Sequence, residues 1–209
     1  MPTPLLEVID LSVSFGSDNV RAPVLNRVSF SISRGETVVL VGESGSGKSL
    51  SAMSIVRLLP HAARIDSGSI LLNGLDLFEL SERQMRNIRG ASVGMVFQEP
   101  QSSLNPVMTV GAQIAESVRR HQGIRGKRLT ERVCELMDAV GINEPREKSR
   151  QYPHEFSGGM KQRVMIAIAL AANPELLIAD EPTTALDVTI QAQVLELLKA
   201  VQAKQNMGM

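Results

Sequence analysis

The sequence predicts a mixed α/β fold: a sheet core with an N-terminal antiparallel β sub-domain, interrupted by an inserted helical sub-domain. Three observations carry this reading. The N-terminal segments alternate as half-buried strands do. Thr37-Val-Val-Leu-Val41 is a continuous apolar run that stops at a glycine-rich loop, as a strand buried on both faces would. From about residue 100 the apolar spacing turns helical.

The elements follow in order. Leu5 to Phe15 alternates in part. Val24 to Ser33 alternates more cleanly, with Val24, Val28, Phe30 and Ile32 on one face, and the polar link Gly16 to Pro23 reads as a hairpin loop. After the glycine loop, Lys48 to Leu59 is a helical stretch that Pro60 should end. Ser69 to Asn73 and Ser92 to Phe97 are further short strands, with an Arg-rich helix, Ser81 to Arg89, between them. Pro100 to Val107 is turn-rich, and Thr109 to His121 reads as a helix. Lys127 to Val140 places Leu129, Val133, Leu136, Met137 and Val140 at helical spacing, with Gly141 as its stop. Strand signals resume at Leu176 to Ala179, and Thr189 to Gln205 is helical again.

Composition narrows the function classes. The chain has 209 residues, 43% of them hydrophobic, enough for a sizeable core. With 22 Lys+Arg against 22 Asp+Glu, no basic excess points to nucleic acid. The longest strictly apolar run, Val164 to Ala172, is far below the roughly 18 residues that span a bilayer. Cys134 is alone, so no internal disulfide forms, and the N-terminus lacks a signal-peptide pattern. A reducing, cytoplasmic setting fits this composition.

Gly42-Glu43-Ser44-Gly45-Ser46-Gly47-Lys48-Ser49 matches the full phosphate-loop pattern, flanked by a strand and a helix. The glycines let successive N–H groups turn inward at phosphates, Lys48 reaches the β- and γ-phosphates, and the Ser49 hydroxyl suits Mg²⁺. Leu176 to Glu181 ends an apolar strand in two consecutive carboxylates, a costly place for charge unless something uses it. On a strand Asp180 and Glu181 would face opposite sides and so take different tasks. Asp180 suits Mg²⁺ through a bound water, and Glu181 suits deprotonating an attacking water. The plain alternative is an acidic strand end followed by a turn at Pro182. Gln98 and Phe15 each sit at a strand end and, on spacing alone, read equally as an ordinary surface and an ordinary core residue.

Phe156-Ser157-Gly158-Gly159-Met160-Lys161-Gln162 adds a second helix start suited to an anion, with Ser157 as N-cap. A capped helix accounts for Ser157; Gly159 would weaken the first turn unless something approaches closely. These motifs, with Gln98 and Ala185-Leu186-Asp187, stand in the order and spacing of an ABC-transporter ATPase subunit, and the resemblance covers nearly the whole chain. Phe97-Gln-Glu-Pro-Gln-Ser-Ser-Leu-Asn-Pro106 and Tyr152-Pro-His-Glu-Phe-Ser-Gly-Gly-Met160 resemble the peptide-importer branch, which includes nickel and microcin permeases.

The resemblance implies a P-loop NTPase core over 1–98 and 160–209, and a helical sub-domain over 99–159 that ends in the signature motif. It implies ATP and Mg²⁺ as cofactors and ATP hydrolysis coupled to uptake of peptides or a related small solute. Two ATPase domains or subunits would meet head to tail, each nucleotide lying between one P-loop and the partner's Ser157-Gly158-Gly159. Phe15 would stack on adenine, Gln98 would contact Mg²⁺ or the lytic water, and Asp187 would lie at the dimer interface. Partners would be transmembrane permease subunits and, indirectly, a solute-binding protein, with the chain peripheral on the cytoplasmic face of the inner membrane. The family's switch histidine has no counterpart among His61, His121 and His154, so weak hydrolysis by a shortened chain is expected.

A non-transport ABC ATPase of the DNA-repair or translation type is the alternative. It calls for coiled-coil, zinc-hook or basic insertions, and Gln98 to Ser157 has neither sustained heptads nor paired cysteines. The cluster Arg119, Arg120, Arg125, Lys127 and Arg128 is diluted by Glu116 and Glu131 and reads as a solvated face. A small-molecule kinase of the P-loop class leaves Ser157-Gly-Gly without a task. His154 has no second ligand nearby in sequence and reads as a surface or interface residue.

Overall fold

The computed structural model describes residues 4–17, 20–184 and 186–209. They form two units, one running through Arg89 and including Asn206–Met209, the other Gly90–Gln205. In the first unit an antiparallel sheet is ordered β2-β1-β3-β4. Its strands are β1 (Leu6–Ser17), β2 (Val20–Ile32), β3 (Ala63–Leu72) and β4 (Leu75–Asp76). Its buried face is apolar: Leu6, Val8, Leu11, Val13, Leu25, Ile32, Ile70 and Leu72.

Two expectations for this sheet need correction. The strands extend into the segment read as a loop, pairing Ser14 with Pro23 and Ser17 with Val20; Asp18 and Asn19, between them, lie outside the described residues. The inward phase of β2 also changes along its length. Register shifts separate the pairs Leu11–Val28 and Val13–Leu25, with Arg27 in the left-handed region at φ 51°. A bulge of this kind inserts one residue and moves every following side chain to the other face. Leu25 is therefore buried while Val24 is exposed.

The apolar run Thr37–Val41 is not a buried strand. Val39 and Val41 are 73% and 90% exposed. Val38 N–H donates to Met209 O, and Met209 N–H to Glu36 O, so the start of the run pairs with the last residues of the chain. Among the described residues no parallel strand is paired with it, and an apolar run is buried only where neighbouring strands cover it.

Helix α1 (Lys48–Ile55) is also shorter than expected. Arg57 turns left-handed at φ 51°; its N–H donates to Ser54 O, and Leu58 N–H donates to Met53 O. This is a Schellman stop, so the helix ends before Pro60 acts. Arg89 caps the same end, Nε donating to Val56 O (2.7 Å) and Nη2 to Arg57 O (3.1 Å). Helix α2 (Glu82–Ile88) begins with the reciprocal Ser81–Gln84 capping box. The Arg89 guanidinium hydrogen-bonded to Glu82 holds that carboxyl below the usual carboxylate range.

In the second unit, β5 (Val93–Val96) and β6 (Leu176–Ala179) pair in parallel, Val93 opposite Leu176 and Val96 opposite Ala179. A parallel pair needs a long crossover, here a run of helices. A short helix, α3 (Pro100–Ser103), occupies part of the segment read as loop, with proline at its first position, where no N–H is required. Then come α4 (Val110–Gln122), α5 (Gly126–Ala139), α6 (Pro145–Lys148) and α7 (Gly158–Leu170). Thr109 caps α4, and Gly141 (φ 73°) ends α5. Val110, Ile114 and Val118 of α4 and Val133, Leu136 and Met137 of α5 are buried.

From Val164 onward α7 is apolar around its circumference, with Val164, Met165, Ile166, Ala167, Ala169 and Leu170 buried, as expected of a helix in the middle of a core. Arg163 forks from it, donating to Val140 O at the end of α5 (2.6 Å) and to Gln193 Oε1 (3.0 Å) on α8 (Val188–Gln205). Among the described residues, no helix is long and apolar enough to cross a membrane.

Candidate nucleotide-binding site

The first unit carries the phosphate loop. Gly45 (φ 80°) and Gly47 (φ 94°) are left-handed, conformations that L side chains rarely adopt. A Cβ at Gly47 would lie 2.5 Å from Leu25 Cδ2, and one at Gly42 would lie 2.6 Å from Ser46 Oγ. A side chain at Gly42 or Gly47 would displace Ser46 or Leu25, and as built the loop is a backbone cradle. Gly47 is also the N-cap of α1, so Lys48 and Ser49 open the helix where its unpaired N–H groups point outward. The Lys48 ammonium closes the loop on itself, Nζ donating to Gly42 O (2.7 Å) and Glu43 O (2.8 Å). Phe15 is 41% exposed near the end of β1, opposite Ala22 and Ala63. Both of these strand partners are small.

The second unit brings Gln98, Asp180 and Glu181 together. β6 ends at Ala179, and Asp180 N–H still donates to Val96 O at 3.0 Å. Asp180 is buried. Glu181 then turns left-handed at φ 45°, a strain of about 1–2 kcal/mol for a residue with a Cβ. The two carboxylates are thus separated by a backbone turn, and the strand alternation expected for them does not apply. Gln98 Nε2 donates to Glu181 Oε2 at 2.7 Å, and Thr184 Oγ1 donates to the same oxygen at 2.9 Å. The Gln98–Glu181 pair and the part played by Thr184 carried no signal in the sequence.

Ser157 is the N-cap of α7, its Oγ accepting from Met160 N–H at 3.4 Å. Gly159 finds its close neighbour inside the chain: a Cβ there would lie 2.7 Å from Ile190 Cγ2. Packing against α8 is thus a sufficient reason for the second glycine. At Gly158 a Cβ would meet only Leu186 Cδ2, at 3.6 Å, an ordinary contact. Asp187 caps α8, Oδ1 accepting from Ile190 N–H at 2.9 Å, while its neighbour Ala185 lies outside the described residues. Just before α7, the Tyr152 and His154 rings stack at 5.7 Å.

A backbone phosphate cradle opening a helix, and a strand end bearing an acid pair with a glutamine on it, define a nucleotide-handling class. Residues 25–184 match the family described as ABC transporter, and the chain belongs to that family. It is 53% identical over 203 residues to the oligopeptide transport ATP-binding protein OppD of Bacillus subtilis, covering 97% of this chain and 57% of that protein. It is 50% identical over 205 residues to the dipeptide transport ATP-binding protein DppD of Escherichia coli, covering 98% and 63%. Among solved structures, the dimeric post-hydrolysis state of the ATP-binding cassette MJ0796 bound to ADP and Pi aligns with a TM-score of 0.84 at 27% identity. That alignment covers 96% of this chain and 84% of the cassette. The chain spans 57% and 63% of the length of the two curated relatives.

Proposed function

We propose that this chain is the ATP-binding and hydrolysing part of an ABC importer for peptides or a related small solute. The observation that carries the reading is the Gly42–Ser49 cradle, in which Gly45 and Gly47 are left-handed and the Lys48 ammonium lies against the loop's own carbonyls. Names of relatives support the transport assignment: OppD and DppD are described as peptide transport ATP-binding proteins.

The residues fit the nucleotide and its metal. Backbone N–H groups of residues 42–49 and the start of α1 would hold the phosphates, and Lys48 would exchange its two carbonyl partners for phosphate oxygens. Among the described residues no group of three or more His, Cys, Asp or Glu gathers as a metal cage. Mg²⁺ in such sites is held by one or two protein oxygens together with substrate phosphates. Ser49, Gln98 and Asp180 would serve here, and the ion would supply charge neutralisation at the phosphates. Glu181 would take the proton of the attacking water, oriented by Gln98. Phe15, partly exposed on β1, would stack on adenine.

The second half of the site would come from a partner chain or a second such domain. Ser157, Gly158 and Gly159 would meet the γ-phosphate held by the partner, and Asp187 would lie near that interface. The segment 99–159 is the part we assign to contact with transmembrane permease subunits, placing the chain at the cytoplasmic face of the membrane. The DNA-repair or translation alternative has no feature in its favour among the relatives cited.

Light scattering of Glu181→Gln with Mg²⁺, with and without ATP, tests the reading. Removal of the base should trap a dimer that appears only with ATP, and Ser157→Arg introduced on that background should abolish it. A dimer indifferent to ATP, or one that survives Ser157→Arg, would sink the shared-site reading.

A further inference from the structure

We propose that Thr184 is a positioning residue for hydrolysis, its hydroxyl holding the Glu181 carboxylate so that one oxygen is tied and the other faces the attacking water. The inference rests on Glu181 acting as the general base, as assigned above.

Because Glu181 is left-handed (φ 45°), β6 no longer dictates where its side chain points. Local contacts have to do so instead. Thr184 supplies two, its N–H donating to Glu181 O at 3.1 Å and its Oγ1 to Glu181 Oε2 at 2.9 Å. Gln98 Nε2 reaches the same Oε2 from β5's side of the sheet pair at 2.7 Å. Both donors converge on Oε2, and among the described residues no donor is recorded on Oε1. A free carboxylate samples a broad, two-fold terminal torsion. Two donors on one oxygen remove that freedom and leave the second oxygen as the acceptor for a proton, the geometry a base requires.

The hydroxyl is the part of Thr184 that the turn does not need. Any residue there but proline could make the backbone bond to Glu181 O. The side-chain bond requires Thr or Ser, and the β-branch of Thr narrows the rotamers that place Oγ1. Thr184 is itself exposed, so removing its hydroxyl leaves the core untouched.

The test compares Thr184→Val, Thr184→Ser, Glu181→Gln and the double variant Glu181→Gln/Thr184→Val. Single-turnover ATP hydrolysis is followed with protein in excess, and ATP affinity is titrated separately. Thr184→Val should lose about ten- to a hundredfold in hydrolysis, the range expected when a catalytic group is misplaced, with ATP affinity unchanged. Thr184→Ser should keep most of the rate, and Thr184→Val should add nothing once Glu181 is Gln. An inactive Glu181→Gln beside a wild-type Thr184→Val overturns the role of Thr184 alone. A Glu181→Gln that hydrolyses normally overturns the base reading, and Thr184's role with it.

A second readout does not depend on turnover. The side-chain amide NMR signal of Gln98, assigned by its loss in Gln98→Leu, reports on the shared Oε2. It should move in Thr184→Val and return in Thr184→Ser. A signal unchanged in Thr184→Val would overturn the clamp even where hydrolysis is too slow to follow.

Discussion

Gln98 and Glu181, 83 positions apart in sequence, meet at 2.7 Å between Nε2 and Oε2. The parallel pairing of β5 with β6 makes this possible, because Gln98 and Glu181 each lie two residues beyond the paired ends Val96 and Ala179. Gln98→Leu is expected to slow single-turnover hydrolysis at saturating ATP and Mg²⁺ by about ten- to a hundredfold. A rate at the wild-type level would mean that the amide does not orient the carboxylate.

Gly159 against Ile190 offers a test by suppression. Gly159→Ala introduces a Cβ 2.7 Å from Ile190 Cγ2, and overpacking of this kind costs about 1–3 kcal/mol. Combined with Ile190→Ala, the loss should be smaller than the sum of the single losses, with a coupling of about 0.5 kcal/mol or more. Urea denaturation midpoints of the four proteins measure it. Additive losses would show that the two side chains do not meet.

Asp187 separates two roles through one substitution series. Its cap bond to Ile190 N–H is 2.9 Å, so Asp187→Ala should destabilise by about 1 kcal/mol and Asp187→Asn by little. Equal unfolding midpoints for Ala and wild type would remove the capping role and leave only the proposed interface.

His121 makes the second unit sensitive to acid. Burial, and secondarily the Arg120 charge, push its imidazole below the ordinary 6.5. The unfolded chain therefore binds the proton more readily, so stability falls as pH drops from about 7 through the unfolded value and levels off below the folded one. The loss of stability between pH 7.5 and pH 5.5, read from urea midpoints, should be smaller in His121→Asn than in wild type. An equal loss in both would assign the acid sensitivity elsewhere.

Helices α4, α5 and α8, and both strands of the β5–β6 pair, were legible because their apolar spacing is local and unbroken. The motifs were legible because each needs particular residue types at fixed intervals. Thr37–Val41 was misread because burial of an apolar run depends on which strands lie beside it, and sequence pattern does not say. Val24 does not share the face of Ile32 because a bulge at Arg27 reverses the phase of β2 without any glycine to announce it. Gly159 carried an ambiguous signal, since a ligand and a neighbouring isoleucine demand the same absence of a side chain. The Glu181 clamp was hidden for another reason: three hydrogen-bonding residues from two strand ends converge only after folding.

The burial of α7 on nearly every side, with Arg163 tying it to the end of α5 and to α8, bears on the turn at its head. Local opening starts where few buried contacts hold a segment; Ser157 and Gly158 are exposed, and what holds them is the buried stretch of α7 behind them. The N–H groups behind Ser157 thus sit on a helix anchored by its own core, and the phosphate proposed to dock there would meet a turn already capped by Ser157. Binding at that turn, as proposed, would then forfeit little conformational entropy, and its affinity would follow the phosphate chemistry and not the folding of the helix.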